Sequence, residues 1–258
     1  MINSNRFALR HPYAFTALLE ITVIAAYSAA GTIAYLLHLS GLALIGIANV
    51  TLAVVVAGLL TGMGWWREIG FRRLQRRRDL LYFIVPFIPL GINLIPGITF
   101  DGAGQVSLIL ALTLMIGFVE ESIFRGLMLR ALKSHGAWKA VISTALLFGL
   151  THVLNMLAGG SLVHQAEQVV YAFAIGFAFA ALVMKKGIIW PLILAHFLID
   201  FAHFLQKPGA SFAPGTEAAI TIGVTAVFLV YGLFIMLRAT GQAHAEAARM
   251  PNLAQVHE

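Results

Sequence analysis

Long apolar runs, broken by short clusters of arginine, proline and polar residues, recur along the 258-residue chain. A run of about 18 apolar residues or more is long enough to cross a bilayer core of roughly 30 Å as a helix. The pattern predicts an all-α polytopic membrane protein, with helices over 13–37, 42–64, 80–96, 106–129, 139–157, 166–184, 188–206 and 217–237. The third should be kinked or shortened by Pro86, Pro89 and Pro96, because proline lacks an amide donor and clashes with the preceding turn. Gly58 and Gly62 give the second helix a small-residue face of the kind that packs closely on a neighbour. Residues 1–12 and 239–258 are left as tails around a membrane domain of 13–238, and the second tail reads as a short mobile extension. The first run follows Arg6 and Arg10 as a signal peptide would, but it continues to Leu37, which predicts an uncleaved anchor. No internal repeat, low-complexity tract or linker interrupts the series.

Composition supports that class. The chain is 60% hydrophobic and 11% charged, with a mean hydropathy of +0.87, well outside the balance of a soluble domain. An isoelectric point near 9.9 would suggest nucleic acid as the partner of a soluble protein. Here the positive-inside rule accounts for the basic excess, and no nucleic-acid partner is expected. With eight spans and the N-terminus inside, fifteen of the 17 Lys and Arg residues fall in cytoplasmic segments. Lys207 alone falls outside and Arg125 lies within a helix, so both termini are expected in the cytoplasm. The loop Trp65-Trp66-Arg67-Glu68-Ile69-Gly70-Phe71-Arg72-Arg73 reads as a segment lying on anionic lipid headgroups. The chain has no cysteine, which excludes disulfides, Cys-ligated zinc and thiol catalysis.

Against this apolar background a few polar residues stand out. Charged side chains at membrane depth are costly, rare and usually functional. Glu120 lies roughly 15 Å from the cytoplasmic end of the fourth predicted helix, and His152 roughly 18 Å into the fifth. His196 and Asp200 fall at roughly 12 and 18 Å in the seventh. Three helices thus bring acids and histidines to one level, which predicts a shared polar cavity. His196 and Asp200 are four residues apart and share a helix face, which His203 extends by a turn. Phe148 and His152 have the same spacing. Glu120 and Glu121 differ by about 100° around an α-helix, so both should not point into one cavity. Arg125, four residues after Glu121, can neutralise it, leaving Glu120 as the better candidate for chemistry.

Three motifs follow in order. Glu120-Glu121-Ser-Ile-Phe-Arg125 fits EExxxR, Phe148-Gly-Leu-Thr-His152 fits FxxxH, and His196-Phe-Leu-Ile-Asp200 fits HxxxN/D. Each on its own apolar helix, they resemble the CPBP intramembrane proteases, which include type II CAAX prenyl proteases and bacteriocin-processing or immunity relatives. The resemblance covers roughly residues 65–205. It implies an intramembrane peptidase in which Glu120 and His152 activate water, while His196 and residue 200 stabilise the oxyanion. Donors aimed at a developing oxyanion supply several kcal/mol of barrier lowering. Asn at position 200 would donate directly, whereas Asp200 donates only when protonated and otherwise repels an oxyanion or orients His196. Glu121, Arg125, Phe148 and Asn155 are expected to support these groups.

The resemblance favours a metal-independent glutamate mechanism with no cofactor. Zinc is the competing reading, with Glu120, His152 and His196 as ligands; HExxH is absent. The implied partners are membrane lipids and a peptide or lipidated-protein substrate, and the implied location is the bacterial inner membrane. Nothing in the sequence selects among prenylated C-termini, bacteriocin leaders and other membrane peptides, or sets the oligomeric state. A non-catalytic immunity scaffold of the same fold is the alternative. A proton-coupled transporter is a further class, against which stand the small size and the lack of inverted repeats. Glu20 reads as an interfacial residue, Asn155 as an interhelical contact and His203 as a helix-end residue. His11, His38, His135, His164, His244 and His257 fall in tails, loops or helix ends and are expected to be solvated.

Overall fold

The computed structural model describes residues 2–100, 102–154 and 162–249. Helices account for most of them: α1 Ile2–Arg10, α2 Pro12–Leu36, α3 Gly41–Met63, α4 Ile88–Leu94, α5 Ala103–His135, α6 Ala137–Thr151, α7 Leu162–Lys186, α8 Trp190–Phe204 and α9 Pro214–Arg249. Among the described residues there is no named strand, only a bridge between Ile98 and Gln206. Among the described residues six helical segments are long and apolar enough to span a membrane, in α2, α3, α5, α7, α9 and α6 together with the turn that carries it on to Leu154. The protein is an all-α polytopic membrane protein.

The other two predicted spans are short. Pro86 and Pro89 break the third into 3-10 turns at Arg77–Phe83 and Val85–Phe87, leaving α-helix only at α4. α8 begins at Trp190, with Pro191, whose fixed φ suits a first turn, next to it, and reaches roughly 22 Å against a core of roughly 30 Å. The two are tied together beyond their ends. Thr99 N donates to Leu205 O (2.8 Å), Lys207 N to Gly97 O (3.1 Å), and Asn93 Nδ2 to Ile199 O (3.2 Å).

Other expectations also change. Within the tail of 1–12, residues 2–10 form a helix, with Ala8 fully buried and Asn5 Nδ2 donating to Met63 O (3.0 Å). The other tail is helical as far as Arg249. A Cβ built on Gly58 or Gly62 meets nothing within 4 Å, so among the described residues no other part of the chain packs on that face. The 65–73 loop does not simply lie on lipid. Trp65 and Ile69 are buried, Phe15 meets the Trp65 ring edge-on, and the Arg130 guanidinium lies 4.6 Å from its centre.

Two apolar clusters make the core. In one, Phe15, Leu19 and Val23 of α2 pack with Leu52, Val56 and Leu60 of α3 and with Val119, Ile123 and Leu127 of α5. In the other, Ala174, Ala178 and Ala181 of α7 let α6 and α9 approach closely. The 65–73 loop pins the start of α8: Ile189 N donates to Gly70 O (3.2 Å), and Arg72 Nε donates to Gly187 O (2.6 Å). Gly70 has φ of +115°, and a Cβ there would lie 2.8 Å from Ile189 N. Gly70→Ala is therefore expected to cost about 1–3 kcal/mol, read as a lower thermal midpoint in detergent.

Candidate active site

α5 carries the first motif, and its backbone changes there. It is α-helical over Ala103–Glu120, π-helical over Glu121–Met128, and α-helical again over Leu129–Leu132. π turns within α-helices are rare and frequently mark functional sites. Every side chain from Glu121 to Met128 is buried. Burying the Glu121 carboxylate and the Arg125 guanidinium is tolerable only because each answers the other. Arg125 Nη1 donates to Glu121 Oε1 at 3.1 Å, and the guanidinium lies 3.8 Å from the centre of the Phe148 ring.

α8 brings His196 to both glutamates. Its Nδ1 lies 2.9 Å from Glu121 Oε1, and a carboxylate oxygen can only accept from a ring N–H, so Nδ1 carries the hydrogen. Its Nε2 is 3.7 Å from Glu120 Oε2 and 3.5 Å from Asp200 Oδ2. The two glutamates address one imidazole on opposite ring nitrogens, while only Glu120 also lines the cavity described below. Asp200 stands beside His196. The close approach of α5 and α8 depends on Gly117, where a Cβ would lie 3.0 Å from Ile193 O and 3.1 Å from Phe197 N. Gly117→Val is expected to lower stability by about 1–3 kcal/mol, measured by thermal unfolding, by wedging α8 off α5.

α6 supplies the third group. The helix ends at Thr151, so His152 is its C-terminal cap and not the interior residue that the sequence predicted. His152 Nδ1 lies 2.7 Å from Phe148 O, a carbonyl left free by the helix end. That oxygen accepts only, so Nδ1–H donates, and the neutral ring keeps its lone pair on Nε2. Phe148 packs edge-on against Phe124 and His152 at 5.2 and 4.7 Å between centres, with His196 at 6.3 Å. Asn155 lies outside the described residues.

Glu120 and His152 line one cavity of about 60 Å³ with Tyr27, Asn49, Thr151 and a ring of apolar side chains. A polar cavity needs about 10–15 Å³ of such space to admit one water, so this one is large enough for water to enter. His196, Glu121 and Asp200 are not among its lining residues but sit behind Glu120. Three polar residues there were missed by sequence reasoning: Tyr27 and Asn49, outside every motif, and Thr151, which falls within FxxxH without being one of its fixed positions. A buried Asn in the apolar run of α3 was the available signal. Glu20 is not a plain interfacial residue either, since Thr151 Oγ1 donates to its Oε1 at 2.5 Å. Among the described residues no group of three or more His, Asp or Glu is arranged to hold a metal ion.

A buried carboxylate and a histidine with a free lone pair, around space for water, can deprotonate that water. A search of curated proteins finds no match to the chain. Residues 102–202 match the family described as type II CAAX prenyl endopeptidase Rce1-like. That segment carries all three motifs, and over it the chain is similar to the CAAX-type intramembrane proteases.

Proposed function

We propose that this protein is an intramembrane endopeptidase of the bacterial inner membrane that hydrolyses a membrane-associated peptide, with a prenylated CAAX-type C-terminus as the first substrate class to try. The observation that carries this reading is the water-sized cavity shared by Glu120 and His152. The Glu120 carboxylate takes a proton from water while His152 Nε2 accepts the other hydrogen and orients the oxygen. That oxygen bonds to the peptide carbonyl carbon, and the carbonyl electron pair moves onto its oxygen. His196, its Nδ1–H held by Glu121 and its Nε2 flanked by Glu120 and Asp200, is placed, as the doubly protonated imidazolium, to offer Nε2–H to the oxyanion. When the intermediate collapses, the C–N bond breaks and the proton held by Glu120 passes to the departing amine. The products are a carboxylic acid and an amine, with one water consumed.

The test is cleavage of a farnesylated CAAX peptide by the purified protein and by Glu120→Gln, each with and without a zinc chelator. Cleavage by wild type that resists chelator and disappears in Glu120→Gln is the expected result. Loss with chelator and recovery with zinc would move the chemistry to a metal. Equal cleavage by both proteins would sink the assignment of Glu120. A binding scaffold of the immunity type predicts protection of a host that survives both Glu120→Gln and His152→Ala.

A further inference from the structure

α2 and α3 lie outside the segment that matches the protease family, yet they build one wall of the water-sized cavity. Their polar contributions are Tyr27 and Asn49. Asn49 is completely buried in an otherwise apolar helix, a costly placement unless its amide is bonded. Its Nδ2 lies 3.0 Å from Ile45 O and 3.0 Å from the Tyr27 hydroxyl oxygen. A carbonyl oxygen only accepts, so the Ile45 contact fixes which end of the amide is nitrogen. The second N–H then goes to Tyr27, whose hydroxyl accepts it and keeps its own hydrogen to give.

The donors of the cavity can be followed one by one. Asn49 has committed both amide hydrogens. Thr151 has one hydroxyl hydrogen, shared between Glu20 Oε1 and Leu147 O. His152 has committed Nδ1–H to Phe148 O. Glu120, as a carboxylate, has none. Among the described polar residues that line the cavity, the Tyr27 hydroxyl therefore holds the one uncommitted donor. It is at the right depth as well. Phe15–Trp65 and Tyr13–His135 ring contacts mark a common end of α2, α3 and α5. Tyr27, Asn49, Glu120 and His152 all lie roughly 20 Å along their helices from it.

A donor is wanted at this place. The third motif ends in Asp200, which as a carboxylate offers no hydrogen and stands 3.5 Å from His196 Nε2. We infer that Tyr27, oriented by Asn49, donates its hydroxyl hydrogen bond to the oxyanion formed when the Glu120-activated water adds to the peptide carbonyl. This rests on the protease reading given above. No bond to Tyr27 forms or breaks: its hydrogen stays on the phenol oxygen, and its contact strengthens as negative charge builds. Tyr27 is thus a catalytic residue contributed by α2, and Asn49 is a positioning residue that acts through it.

The test compares full-length wild type with Tyr27→Phe, Asn49→Leu, the double variant and Glu120→Gln, using a farnesylated CAAX peptide and its phosphinate analogue, which mimics the tetrahedral intermediate. Tyr27→Phe is expected to lower kcat about 10²–10³-fold with KM within about two-fold of wild type, and to weaken the phosphinate by a similar factor. Asn49→Leu should lose less, and adding it to Tyr27→Phe should cost nothing further. A kcat for Tyr27→Phe within about three-fold of wild type overturns the inference, as does a phosphinate affinity that does not change. Should Tyr27→Phe fail to fold, Asn49→Leu decides by the same two readouts. Glu120→Gln separates the two layers. If it is inactive while Tyr27→Phe and Asn49→Leu cleave normally, only the oxyanion role falls. If Glu120→Gln cleaves like wild type, the protease assignment of this cavity falls, and the role of Tyr27 with it.

Discussion

Glu120→Gln is expected to lower kcat about 10²–10⁴-fold while KM stays within a factor of about two. Glutamine keeps the shape of the side chain and can still hydrogen-bond a water, but it cannot take the proton. Glu120 Oε2 is buried and has no hydrogen-bond partner among the described residues, with His196 Nε2 3.7 Å away. The substitution therefore removes a base without dismantling a network, and the thermal midpoint should hold. His152→Ala should reduce kcat too, and the double variant should lose scarcely more than the stronger single one, because groups that act on one water act as a unit. Steady-state kinetics on a farnesylated peptide, beside thermal unfolding of each variant, would measure both effects. Additive losses would mean that Glu120 and His152 serve separate steps.

Arg125→Met should instead be a folding defect, costing about 3–5 kcal/mol. The guanidinium is 1% exposed and the Glu121 carboxylate 0% exposed, so the change strands a buried charge with only His196 to answer it. It also removes the cation from the Phe148 ring face, 3.8 Å away. Arg125→Lys should recover only part of the loss, since an ammonium lacks the planar fork that reaches Glu121 while stacking on Phe148. Removing both partners, as Glu121→Gln with Arg125→Met, should restore most of the stability. It should not restore cleavage, because His196 Nδ1 would lose its charged acceptor. Denaturant or thermal unfolding in detergent, set beside the cleavage rate, would show whether stability and activity separate in this way. If Arg125→Met unfolded like wild type, the ion pair would contribute nothing to the fold.

Much of this architecture is written in the sequence as hydropathy. Runs such as 42–64 and 217–237 contain so few polar groups that only a helix, which satisfies its own backbone, suits them in a bilayer. The motif positions were legible for a related reason: Glu120, His152 and His196 are expensive in apolar surroundings, so their presence is a signal. What escaped was anything that depends on how one helix meets another. The prolines of 80–96 announced trouble, but not that only Ile88–Leu94 would stay α-helical. Trp65 looked like an interfacial anchor because its partners, Phe15 and Arg130, are remote in sequence. Tyr27 and Asn49 belong to no spacing pattern, since their relation runs between two helices 22 positions apart in the chain.

The local change of winding in α5 has a consequence for how that helix can vary. A π turn closes its hydrogen bonds from i to i+5, one residue more than an α turn, so it acts as a single-residue insertion absorbed without a break. The part of α5 that ends at Glu120 and the part from Leu129 onward are therefore indexed independently, out of step by about the 100° of one residue. Deleting one residue within 121–128 would leave a sound α-helix and an intact apolar composition. It would also swing one half of α5 against the other, so that Gly117 no longer met α8 while Arg125 still faced Phe148. The count of residues in that stretch, as much as their identity, is a constraint on the site, and hydropathy does not register it.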